Sequence, residues 1–165
     1  MATPTYTLID SEVLASSASS VTFGSLNTLA AGYKDLVLAL NISATATAGV
    51  NLRVNSDAGS NYNYVWAYGN GSVTGSSSGT LAQFSISPFS SPDTTFAGNY
   101  LVQFFDFSVT DKHKSILSRS NNANSGTAMY AGRWANTAAI TSVEVFFTSN
   151  QMAVGSTLRL FGIAA

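Results

Sequence analysis

Apolar side chains recur at every second position through much of this chain, and two residues is the strand period. Leu36, Leu38, Leu40 and Ile42 share one face of their segment in this way. Val50, Leu52 and Val54 alternate with Asn51, Arg53 and Asn55. In the next run Tyr62, Tyr64, Trp66 and Tyr68 alternate with smaller residues. Similar runs predict strands over 81–86, 100–107, 114–120, 128–134, 140–147 and 157–163, with weaker candidates over 6–14 and 20–23. Residues 100–107 are apolar at both parities, which predicts a strand buried on both faces. No ten-residue segment carries a 3.6-residue period, and Ala30-Ala31-Gly32-Tyr33 is one helical turn at most.

Turn chemistry separates these runs. Asp57-Ala58-Gly59-Ser60, Gly69-Asn70-Gly71, Ser76-Ser77-Ser78-Gly79, Ser90-Ser91-Pro92-Asp93 and the segment 121–126 combine Gly with Asn, Asp and Ser. Gly supplies positive φ, and the short polar side chains bond back to their own backbone. About 8–10 short strands with turns between them predict an all-β chain, an antiparallel sandwich or barrel. At 165 residues, 1–165 reads as one domain. The Ser/Thr runs 15–20 and 74–80 are too short to separate two domains.

Charge limits the chemistry. Charged residues make up 9% of the chain, against about 25% in an ordinary soluble domain. There are 7 Lys+Arg, 8 Asp+Glu, one His and no Cys. A net charge of −1 gives no electrostatic footprint for nucleic acid or an anionic membrane. It also gives little protection against self-association. No run approaches the ~20 apolar residues of a membrane helix. The first residues, Met1-Ala2-Thr3-Pro4-Thr5, lack the basic and apolar regions of a signal peptide.

Each catalytic or metal reading meets a simpler structural one. A Ser–His–Asp site must use His113, which lies in Asp111-Lys112-His113-Lys114, a charged stretch that reads as a solvated turn. Zn²⁺ prefers N and S ligands, and these are missing. The best Ca²⁺ candidate is the loop 55–61, but it lacks a second carboxylate, so Asp57 and Gly59 read as turn residues. Glycoside hydrolysis needs two carboxyl groups flanking a bond. Nothing marks a pair among Glu12, Glu144 and six Asp, and Glu144 reads as the outward residue of a strand. The aromatic stripe Tyr62, Tyr64, Trp66 and Tyr68, like Trp134, reads as sandwich core before sugar platform. We expect no catalytic residues, no cofactor and no metal.

Four segments carry a family resemblance: 59–64 with Gly69-Asn70-Gly71-Ser72, then 134–142, then 155–163, with 33–38 in agreement. In order and spacing the chain resembles a family of small virion structural proteins of tailed bacteriophages, over residues 6–163. The resemblance implies a jelly-roll β-sandwich and a role as capsid decoration (cement) or minor tail protein. It carries no catalytic residue. It implies that the last strand, 157–163, lies near the first, 6–9, and that Met1–Thr5 is an arm reaching a neighbour. The expected partner is the major capsid protein, on the exterior of a virion assembled in the host bacterial cytoplasm. Decoration proteins often sit at local threefold positions, which implies a homotrimer. The alternative is a tail or fibre module that binds host glycans, with Trp66 or Trp134 in a solvent-facing groove.

Overall fold

The computed structural model describes residues 4–164. The described chain runs β1 (Tyr6–Val13), β2 (Ser20–Phe23), α1 (Leu26–Leu29), β3 (Tyr33–Ile42), β4 (Val50–Val54), β5 (Tyr62–Gly69) and β6 (Thr74–Leu81). It continues through β7 (Phe84–Ser85), β8 (Gly98–Phe105), β9 (Lys114–Asn122), β10 (Gly126–Trp134), β11 (Val143–Phe147) and β12 (Thr157–Ala164). The helical turn falls on Leu26–Leu29, where Leu26 drops into the core, and not on Ala30–Tyr33. Most of the expected arm over Met1–Thr5 lies outside the described residues.

Two antiparallel sheets form a sandwich. One has eight strands in the order β1-β12-β3-β8-β9-β10-β5-β6, and the other four in the order β2-β11-β4-β7. The first and last strands pair directly, with Tyr6 opposite Ile163 and Leu8 opposite Phe161. Alternation decides what fills the space between the sheets. From β3 come Leu36, Leu38, Leu40 and Ile42, and from β12 Leu158 and Leu160. They meet Val50, Leu52 and Val54 of β4 and Val143, Val145 and Phe147 of β11 in one core cluster. Full burial of each such side chain contributes roughly 1.5–3 kcal/mol. Glu144 points away from this core, as its parity requires, and pairs with Arg53 at 3.7 Å. The Arg53 guanidinium also lies over the Phe146 ring.

The small sheet does not reach far enough to cover the large one. The inner face of β9, β10, β5 and β6 is closed instead by aromatic side chains and by the connection 86–97. Tyr100 Oη donates to the carbonyl of Ser90 at 2.6 Å, and Ser90 Oγ bonds Ser120 Oγ at 2.8 Å. Asn122 Nδ2 donates to the carbonyls of Ser91 and Phe96. Phe89 stacks on Tyr68 with ring centroids 3.6 Å apart. The polar parity of β9, Ser118, Ser120 and Asn122, is therefore inward and buried, because it receives a loop and not a second sheet. A loop has peptide groups to satisfy, and Asn122 satisfies two of its carbonyls.

Two expectations from periodicity are corrected. Strand β8 is buried on one face only: Tyr100, Val102 and Phe104 are inside, while Leu101 on the other face is 37% exposed. The turn expected at Ser76-Ser77-Ser78-Gly79 lies instead within edge strand β6, aligned residue by residue with β5. Its alternation carries no hydrophobic signal, because partner β5 supplies the apolar surface for both.

The loop 55–61 is a structural junction. Asp57 Oδ1 accepts from the Gly59 amide at 2.8 Å, and its other oxygen accepts from Asn61 Nδ2 and from Trp134 Nε1 at 2.6 Å. Tyr62, opposite Trp134 in the β5–β10 pairing, donates its hydroxyl to the Asp57 carbonyl at 2.7 Å. Asn55 accepts from the amides of Thr141 and Ser142 and donates to the carbonyl of Ala139. Burial of the Tyr62 phenol pushes its pKa up to about 12. Partial burial disfavours the Asp57 charge, but the hydrogen bonds from Trp134, Asn61 and Gly59 outweigh it and hold the carboxyl below its ordinary value of 3.8. A depressed carboxylate stabilises the fold above its unfolded value, and that stability is lost as pH falls through the folded value. Asp57→Asn should cost about 1–2 kcal/mol at neutral pH, through loss of charge-assisted bonds. The gap to wild type should be full above about pH 5 and close on acidification. Urea unfolding across a pH series measures this; a pH-independent gap would refute the role given to the Asp57 charge.

Candidate functional site

Each chemistry-bearing residue singled out from the sequence now has a position. His113 lies on the exposed connection between β8 and β9 and makes no side-chain hydrogen bond among the described residues. In the same connection Lys112 Nζ bonds Asp106 at 2.7 Å, and that bond lowers the Asp106 pKa. Lys114 is fully buried at the start of β9. Its ammonium donates to the carbonyls of Lys112 and Thr137 at 2.9 and 3.0 Å, and burial lowers its pKa. Trp134 is 1% exposed and anchored to Asp57, so it is core. The stripe on β5 grades outward: Tyr62 is buried, while Tyr64, Trp66 and Tyr68 are half-buried. Tyr64 stacks on Tyr130, and Trp66 and Tyr68 pack against Phe89.

Carboxylates are engaged one at a time. Asp35 accepts from Gln103 Nε2 and the Asp106 amide, Asp93 from the amides of Thr95 and Phe96, and Asp57 from Trp134. Among the described residues, no three His, Cys, Asp or Glu side chains gather where they could hold a metal ion.

The distinctive surface is the outer face of the eight-stranded sheet. Register places its side chains in rows that cross the strands. One row runs Leu8, Phe161, Val37, Gln103, Leu117, Ala131 and Val65. The adjacent row runs Arg159, Ala39, Leu101, Arg119, Met129 and Ala67. A third carries Asn41, Asn99 and Asn121, whose amides hydrogen-bond across β3, β8 and β9 at 2.7 and 3.2 Å. The result is an apolar band, interrupted by Gln103 and Arg119, with an asparagine ladder along one side. Leu8, Val65 and Met129 on this face are each more than half exposed.

Depressions follow the same face. One of about 560 Å³ lies over Ala39, Leu101 and the asparagine ladder, with Arg119 and Arg159 at its sides. Others lie over Tyr6, Val37 and Leu101, and over Ala67 and Met129. Neither Arg119 nor Arg159 has an ion pair among the described residues. Clustered exposed apolar side chains of this kind are a feature of contact surfaces. What this surface presents is apolar area, the open ends of the asparagine ladder and two arginine forks.

Sequence reading found the strands that build this face but not the face itself. The available signal was the double parity of 100–107, where the second apolar parity belongs to the band. No family model matches the chain, and no curated protein matches it.

Replacing the exposed Leu101, Leu117 and Met129 together by Ser should lower binding of a hydrophobic dye to the native protein severalfold. Each exposed substitution should change stability by no more than about 0.5 kcal/mol. A cooperative melt lowered by more than about 10 °C would mean these side chains are packed, contrary to their exposure.

Proposed function

We propose that this chain is a non-enzymatic structural protein of a tailed-bacteriophage virion, specifically a capsid decoration protein that lies on the outside of the assembled shell. The observation that carries this reading is the exposed apolar band on the outer face of the eight-stranded sheet. A rigid sheet presenting apolar rows beside an asparagine ladder suits docking on a fixed, repeating surface. Each contact can be modest, because binding only the assembled shell stabilises that shell by mass action. The partner in this reading is the major capsid protein.

The topology gives further support. With the β5–β6 and β9–β10 hairpins set aside, the strands nest as β1-β12-β3-β8 over β2-β11-β4-β7. That order is compatible with the wrapping of an eight-stranded jelly roll, and so supports the fold the resemblance implies. The rival reading, a glycan-binding tail module, draws on Trp66, whose half-exposed ring stands beside Tyr68 and Phe89. It is weakened by Trp134, which is enclosed and hydrogen-bonded.

Quantitative mass spectrometry of purified virions tests the reading. Copy numbers comparable to the major capsid protein are expected. A handful of copies, or none, would overturn it. In a rebinding assay on stripped particles, Leu117→Asp with Val65→Asp, whose register partners are Gln103 and Ala131, should reduce binding at least tenfold, because charges placed in the band must be desolvated. Unchanged rebinding would exclude this face as the shell contact.

A further inference from the structure

The eight-stranded sheet ends in two edges that differ in kind. At one end β1 carries Asp10 and Glu12 and a register shift between Leu8 and Asp10. Charge and irregularity are the devices by which edge strands avoid pairing with other chains. At the other end β6, Thr74-Gly75-Ser76-Ser77-Ser78-Gly79-Thr80-Leu81, has no charge, no proline and no register shift. Residues 74, 76, 77, 78, 79 and 80 are all exposed.

The direction of its free hydrogen-bonding groups follows from the hairpin. The Asn70 amide donates to the Val73 carbonyl at 3.1 Å, which closes the turn. Bonded and non-bonded pairs then alternate along an antiparallel ladder. Gly75, Ser77 and Gly79 therefore bond to β5, and the N–H and C=O groups of Thr74, Ser76, Ser78 and Thr80 point outward. The strand is held flat by its partner: Tyr68 covers Gly75 and Tyr64 covers Gly79, where an added Cβ would come within 2.7 and 3.0 Å of the rings.

We infer that β6 is a self-pairing edge, through which two copies of this chain join their large sheets by antiparallel β6–β6 contact about a two-fold axis at Ser77. The same surface must meet itself in such a contact. Here the pairs are Thr74 with Thr80 and Ser76 with Ser78, each with outward groups on both partners, giving about eight new backbone hydrogen bonds. Like meets like without penalty, because every opposed side chain is neutral and small, and Ser/Thr pairs hydrogen-bond across strands. The corresponding contact through β1 would set Asp10 and Glu12 of two copies close together. A second copy is the partner because the strand is its own complement about Ser77, with Thr opposite Thr, Gly opposite Gly and Ser opposite Ser. The inference is independent of the shell reading, since it needs no capsid.

Sedimentation velocity over a concentration series is the test. Wild type should be dimeric at about 100 μM and dissociate in the micromolar range. Ser78→Pro removes an outward N–H that β5 does not use, so it should give a monomer with unchanged circular dichroism. Should that variant fail to fold, Ser76→Lys with Ser78→Lys sets like charges across the two-fold axis and should also give a monomer. In the wild-type dimer, amide exchange at Ser76 and Thr80, outward groups that Ser78→Pro leaves in place, should slow at least tenfold relative to that monomeric variant. A wild type that stays monomeric at about 100 μM, or a dimer that persists in the folded variants with those amides unprotected, would overturn the inference.

Discussion

Burial of one face of the eight-stranded sheet is the constraint around which the molecule is arranged. A sheet this wide cannot leave both faces in water when one carries Leu36, Leu38, Tyr100, Phe104, Tyr130 and Trp134. Four strands cover part of it. Among them β7 reaches onto β5 and β10 through Phe84, edge-on to Tyr62 and Tyr130, and the rest is covered by Phe89 on Tyr68 and a connection pinned through Ser90, Ser91 and Phe96. The change of cover explains the change in strand chemistry. Where a sheet lies opposite, inward residues are Leu and Val; where the connection is bonded on, they are Ser120 and Asn122.

Joining these two regimes is the work of a few polar side chains. Asp57 ties the start of β5 to the end of β10 through Trp134, and Asn55 ties β4 to the connection before β11. Both lie where the backbone leaves regular geometry, with Asn55 and Ser56 at positive φ. The scarcity of charge in the chain thus has a structural counterpart. Several of its carboxylates act as hydrogen-bond acceptors for tryptophan, glutamine and backbone amides, and so are committed to the scaffold.

Much of the scaffold was legible from alternation alone. The inward faces of β3, β4 and β12, the outward Glu144 and the turn role of Asp57 and Gly59 all follow from parity and turn chemistry. Three features were not. β6 is composed of turn-forming residues and becomes a strand only because β5 pairs with it. The double parity of β8 signalled burial, yet its second face is the exposed band centred on Leu101. The inward serines of β9 look like solvent positions until the connection 86–97 lands on them.

The sequence by itself determined which residues alternate, where the chain turns, and that few ionisable groups exist from which to build a site. Period-two patterning is local, and it commits side chains to one face or the other without saying what each face meets. Only the tertiary structure decided that the large sheet would outgrow the small one. It also decided that Leu101, Leu117 and Met129 would share an outer band, and that one sheet edge would carry charge while the other carried none. These outcomes depend on strand order and register between segments far apart in the chain. Pairings such as β1 with β12 set them, through hydrogen bonds that any backbone offers and that no local stretch of side chains encodes.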